Sequence, residues 1–343
     1  MQAKTLSRSK RISVQLCLAF AIASAASATA PEVPAAHIGE PLMVENLTIF
    51  PVHGEHEAAP IALTTLDAAL AKGDAVVSEL SDGGEVNRLH IRNKGKRAIY
   101  VLAGTVVKGG KQDRQIGQDF VIEQGKKVAV DAFCVEQGRW TAQREGRATD
   151  GKFSATKGLA QSSVRRAAQY ERNQGEVWSK VSEVNAAHKK DAPSGTLMAT
   201  LDDAGVAKRR AALVTALDAA LRTAETQSPV VGLGYAVDGQ VRNVRWFQSQ
   251  SAFALFRTTL LESAALDALT AQGLGSKRSA PKVEAAAVDA FISDVETGAA
   301  ETRETDAQNR NEYREGKAGF GSKTRLKSAP RSAAPISSDY TAK

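Results

Sequence analysis

The hydrophobic pattern changes character near Trp140, and that change constrains the fold more than any other feature. Before it, apolar residues come in short runs cut by Gly, Asn and Asp. Leu42 to Val52 is one run and Val76-Val77 starts another. Val86-Asn87-Arg88-Leu89-His90-Ile91 alternates with the period of two that a half-buried strand needs. Ala98 to Val107, Phe120-Val121-Ile122 and Val128 to Val135 add three more. Turns fall at Asp82-Gly83-Gly84, Asn93-Lys94-Gly95-Lys96 and Gly125-Lys126. One short helix interrupts the strands: Thr65 opens Leu66 to Lys72, and Gly73 closes it.

After Trp140 the period lengthens. Residues 141–158 are polar and read as a loop, and Ser162 to Arg172 reads as helix. Asn173, with Glu176 three residues on, resembles a capping box and starts a second helix at Gln174. Asp191-Ala192-Pro193-Ser194-Gly195 breaks the pattern. Leu213, Leu217 and Leu221 mark a long helix. Pro229 to Phe247 returns to strand as a hairpin turning at Asp238-Gly239. Phe253, Phe256 and Leu260 begin another helix, and Lys282 to Thr297 forms the last. The expected fold is α+β: an N-terminal antiparallel β-rich unit, then a helix-rich half containing one β-hairpin. The expected organisation is a β-rich lobe over 41–140 and a helix-rich lobe of the same domain over 141–300. Residues 301–343 read as a polar, weakly ordered segment or a weak edge hairpin.

Charge bears on location more than on partners. The 343 residues carry 45 bases and 38 acids, a formal charge of +7. Lys4, Arg8, Lys10 and Arg11 precede the apolar stretch Ile12 to Ala23, and small residues follow, the order of a secretory signal peptide. Cleavage is expected after Ala28, with 29–40 an Ala- and Pro-rich linker. Cys17 follows Leu16, which does not suit a lipoprotein box. The expected location is periplasmic or secreted, with no transmembrane anchor. Without residues 1–28, 41 bases face 38 acids, a balance of only +3. A dedicated nucleic-acid binder usually shows a basic face, so no specific nucleic acid is expected. Cys134 is the only cysteine beyond the signal, which excludes an intrachain disulfide in the mature protein.

Three stretches concentrate chemistry. Gly109-Gly110-Lys111-Gln112-Asp113-Arg114 follows a strand. Its glycines permit close approach of a ligand, and Lys111 and Arg114 suit an anion. The same glycines equally suit a hairpin turn or bulge, and the P-loop pattern is absent. Cys134-Val135-Glu136-Gln137-Gly138-Arg139-Trp140 ends a strand. Arg139 and Trp140 offer a guanidinium for phosphate and an indole for stacking. They equally suit an ion pair and a core plug. Gln174-Gly175-Glu176-Val177-Trp178 opens a helix.

Together with Val44-Glu45-Asn46-Leu47-Thr48-Ile49-Phe50-Pro51 and the Gly232 to Phe256 segment, these stretches resemble the ARG-and-rhodanese-phosphatase-superfamily-associated protein domain. The resemblance spans roughly residues 40–300. It implies a link to ADP-ribose or nucleotide chemistry.

The expected ligand is therefore phosphorylated or nucleotide-like. The candidate binding residues are Gly109, Gly110, Lys111, Gln112, Arg114, Gln137, Arg139, Trp140 and Trp178. A hydrolase acting on such a ligand would use Glu136 and Glu176 as acid and base, since glycosidic chemistry often takes two carboxylates. Cys134 is a weaker nucleophile candidate, with no histidine near it in sequence. A structural envelope protein without a small-molecule site is the third reading. His53-Gly54-Glu55-His56-Glu57 lacks the His-Glu-x-x-His spacing and reads as a polar surface loop. No metal or cofactor is expected.

Overall fold

The computed structural model describes residues 36–55, 59–80, 87–144, 146–279 and 281–343. The stretch expected to be a signal peptide (1–28), residues 29–35 of the expected 29–40 linker, the expected turn at 82–84, and His56 and Glu57 lie outside the described residues. Residues Ala35–Lys343 fall in one unit by their mutual contacts.

A nine-stranded antiparallel sheet forms the spine. Its order is Ala36–Ile38, Leu47–Gly54, Val230–Val237, Gln240–Phe247, Ser337–Ala342, Gly319–Leu326, Asn309–Glu315 and Glu301–Glu304, with Leu42–Val44 also paired to Leu47–Gly54. The hairpin at its centre turns through Asp238 and Gly239, whose φ angles of 54° and 78° suit a tight two-residue turn. Alternation decides which side chains meet which helix. Leu47, Ile49, Leu233 and Tyr235 share a core with helix Gln250–Gly273 and with Leu213, Leu217 and Leu221 of helix Ala204–Glu225. Phe50, Val52 and Trp246 pack on the opposite face against Val288, Phe291 and Ile292 of helix Ala285–Glu296.

A six-stranded antiparallel sheet carries the motifs. Its order is Phe153–Leu159, Thr105–Gly109, Arg114–Ile116, Lys127–Cys134, Arg88–Asn93 and Ala75–Glu79. Ile91, Val107, Ile116 and Val130 on it meet Ile99, Val101, Phe120 and Ile122 of a small three-stranded sheet. Val106, Phe133 and Val135 take helices Ser162–Gln169 and Gln174–Ala187 through Val164, Val177 and Val181. Asn173 caps the second of these, its side chain accepting from the Glu176 amide at 3.1 Å. Among the described residues, no helix is long and apolar enough to cross a membrane.

The molecule is therefore mixed α+β with a β-rich N-terminal half. The C-terminal segment departs from expectation. Residues 301–343 supply four strands of the main sheet, and Ser337–Ala342 sits in its interior between Gln240–Phe247 and Gly319–Leu326. Many of the inward side chains there are polar: Asn309, Asn311, Thr324, Ser337 and Asp339 are all buried. They satisfy one another and Asp119, so the strands are ordered by hydrogen bonds that hydropathy does not register. A short hairpin, Gln143–Arg144 with Arg147–Ala148, also forms in the stretch expected to be a loop.

Candidate functional site

The Gly109 to Arg114 turn joins two neighbouring strands of the six-stranded sheet. Gly109 has φ of 140°, and a Cβ there would stand 2.0 Å from the Lys152 carbonyl oxygen. The close approach these glycines permit is thus to the chain itself. The Lys111 amide donates to Glu79 Oε1 at 2.7 Å, and its ammonium lies 3.9 Å from the same carboxylate. Gln112 is buried, donating from Nε2 to the Glu136 carbonyl at 2.8 Å and accepting from Arg114 at 3.0 Å.

Asp113 is the centre of the arrangement. It is fully buried and accepts from the Gly109 amide at 3.0 Å, from Thr196 Oγ1 at 2.9 Å and from Arg144 Nη1 at 2.7 Å to both oxygens. Arg139 reaches it at 3.4 Å and binds Glu136 more closely, Nη2 to Oε2 at 2.8 Å. Arg139 also donates to the Gly110 carbonyl at 2.8 Å and the Thr141 carbonyl at 2.9 Å. The first two motifs therefore interlock through two carboxylates and Arg139, with Arg144 joining from outside them. Burial, then the charge of Glu136, push the Asp113 carboxyl above its usual range, against the pull of Arg144. Burial raises Glu136 too, but its hydrogen bonds from Arg139 and the Asp113 amide outweigh that and hold it below its usual range.

The remaining candidates scatter in role. Cys134 is buried, and burial pushes its thiol up in spite of the neighbouring Arg114. Gln174 clamps its backbone from both sides, accepting from the Cys134 amide at 2.9 Å and donating to its carbonyl at 2.8 Å. That clamp brings the third motif to the second. Gln137 contributes its amide to the Ser194 carbonyl at 3.0 Å. Trp140 is 48% exposed, with the Arg114 guanidinium 5.4 Å and the Lys111 ammonium 5.6 Å from its ring centre. Arg114 itself is buried. Glu176 lies 3.4 Å from Lys180 one turn on, and shares no bonding partner with Glu136. Trp178 is half-buried on the same helix, its indole N–H without a hydrogen-bond partner among the described residues.

A cleft of about 450 Å³ opens beside the Asp113 junction. Arg144 and Thr196, both bonded to Asp113, line it together with Lys108, Lys190 and Asp203. Lys108 pairs with Asp202, and Lys190 with Asp203. Among the described residues, no aromatic ring lines it. Lys108, Arg144, Lys190 and Thr196 were not singled out in the sequence reading. Each is an ordinary polar residue in its own segment, and only the fold gathers them. The one trace in the sequence is the helix break at Asp191 to Gly195, which places Thr196 beside the junction. Among the described residues, no group of three or more His, Cys, Asp or Glu could hold a metal ion.

The molecule is thus an α+β domain with a charged cleft beside interlocked Gly-Gly-Lys and Cys-to-Trp segments. The chain belongs to the ARG and Rhodanese-Phosphatase-superfamily-associated Protein domain family, whose sequence model matches residues 35–334. No curated protein and no solved structure matches the chain.

Proposed function

We propose that this chain binds a phosphorylated or nucleotide-like ligand in the cleft beside Asp113, and that it does so after export. The observation that carries the first part is that one buried carboxylate fixes two cleft-lining groups, Arg144 and Thr196. A guanidinium and a hydroxyl held in place lose little freedom on meeting a phosphate, which favours binding. Lys108 and Lys190 line the same cleft. On this reading the motif residues Gly109, Gln112, Glu136 and Arg139 are the scaffold of the site, and exposed Lys111 and Trp140, backed by the buried Arg114 guanidinium, form a neighbouring cation–aromatic surface. Export rests on the basic, apolar and small-residue order of residues 1–28.

A purely structural role is the second reading, and the internal bonding of Gln112, Glu136 and Arg139 favours it. A hydrolase using Glu136 and Glu176 has less support, because each carboxylate is engaged by its own cation. A thermal-shift panel with ADP-ribose, AMP, sugar phosphates and inorganic phosphate separates the readings. A ligand at 100 times its dissociation constant adds about 2.7 kcal/mol of stability. The binding reading predicts a shift that Lys190→Ala and Arg144→Ala weaken. No shift in a cooperatively melting protein contradicts it.

A further inference from the structure

A second pocket of about 200 Å³ lies against the same short helix, Met198–Leu201, and shares Met198 and Asp202 with the first. Lys157, Gly158, Arg210 and Glu262 line its far side. Asp202 thus stands between the two, tied to Lys108 by an ion pair in which both side chains are partly exposed, 35% and 49%. Such surface pairs contribute little, about 0–1 kcal/mol, so an incoming anion readily takes Lys108 from Asp202.

We infer that the two pockets form one groove for a sugar or polyol carrying a single phosphate, and that the groove disfavours a pyrophosphate nucleotide. The inference rests on the anion-binding reading of the cleft given above. Three observations select this ligand class. First, the cations of the larger pocket are matched by acids: Lys108, Arg144 and Lys190 stand among Asp191, Asp202 and Asp203. One phosphate can exchange for a carboxylate partner there, but a second meets the displaced acids. Second, among the described residues neither pocket is lined by an aromatic ring, so a base finds no stacking platform. Third, the second pocket is lined by both cations and carboxylates, Lys157 and Arg210 with Asp202 and Glu262, and Arg210 lies 3.6 Å from Glu262. A hydroxyl both donates and accepts, so this mixture of donors and acceptors suits hydroxyls. The phosphate sits at Lys108, Arg144 and Lys190, and the hydroxyls extend past Asp202 to Glu262 and Lys157.

Titration calorimetry on the full chain with inorganic phosphate, ribose 5-phosphate and ADP-ribose tests this. Ribose 5-phosphate is expected to bind at least about tenfold tighter than inorganic phosphate and than ADP-ribose, a difference of about 1.4 kcal/mol. Glu262→Gln, and separately the exposed Lys157→Ala, are expected to erase that advantage and leave the affinity for inorganic phosphate unchanged. Circular dichroism melts establish that each variant folds. Ribose 5-phosphate binding no tighter than phosphate, or ADP-ribose binding tightest, overturns the inference and leaves the anion site standing. Binding of none of the three overturns the anion site itself.

Discussion

Nη1 of Arg144 lies 2.7 Å from both carboxylate oxygens of Asp113, and through this contact the Gln143–Ala148 hairpin is fastened to the wall of the cleft. Asp113 also accepts from Gly109, Thr196 and Arg139. Asp113→Asn preserves the shape but turns an N–H₂ toward one of these donors. A buried donor facing a donor costs about 2 kcal/mol. The urea midpoint is expected to fall accordingly, and affinity for phosphate to fall with it. A variant with wild-type stability and affinity would refute the junction's role.

Gly109 and Gly125 make a controlled pair. Both have positive φ, 140° and 77°. A Cβ at Gly125 meets open space, whereas at Gly109 it collides with the backbone of Lys152. Gly125→Ala is expected to cost about 1 kcal/mol from backbone strain alone. Gly109→Ala should cost about 3 kcal/mol or more, because backbone must move. Equal effects in chemical denaturation would show that Gly109 is not a packing requirement.

Acid stability depends on Asp339. Its burial alone would raise the carboxyl, but the charge and hydrogen bond of buried Arg245, 3.0 Å away, dominate and bring it down from 3.8 to about 2. A depressed carboxyl stabilises the fold fully above its unfolded value. That stability is lost as pH falls through 3.8 toward 2. The contribution is roughly 2 kcal/mol. Denaturation curves from pH 5 to pH 2 are expected to slope less steeply for Asp339→Asn than for wild type. Identical slopes would contradict the assignment.

Cys134 is expected to be inert in the native protein. Its thiol is buried and pushed up by that burial. In a Cys17→Ser background, a disulfide reagent such as dithionitrobenzoate should modify it only after guanidinium unfolding. Rapid native labelling would revive the nucleophile reading.

Much of the fold was legible in the sequence. Leu213, Leu217 and Leu221 lie on one helix because their spacing matches the helical period. Asn173 caps the helix at Gln174 because its side chain competes well for a free amide. The C-terminal strands were not legible, since Asn309, Asn311 and Asp339 are buried by bonding to partners far off in sequence. The candidate site shows the same division. The Gly109 to Arg114 and Cys134 to Trp140 stretches stood out by composition, and they do interlock. All their charges except Lys111 turn inward, however, and the side chains lining the cleft come from segments with no distinguishing pattern. Lys108, Arg144 and Lys190 become neighbours only through the β-pairing and the break after helix Gln174–Ala187.

The central claim is that the cleft beside Asp113 is an anion site. Crystals soaked in tungstate, a heavy phosphate mimic, test it directly by anomalous diffraction. The account predicts a peak among Lys108, Arg144 and Lys190 that is absent from Arg144→Ala crystals. A peak confined to the Lys111–Trp140 surface, or no peak at saturating tungstate, would contradict it.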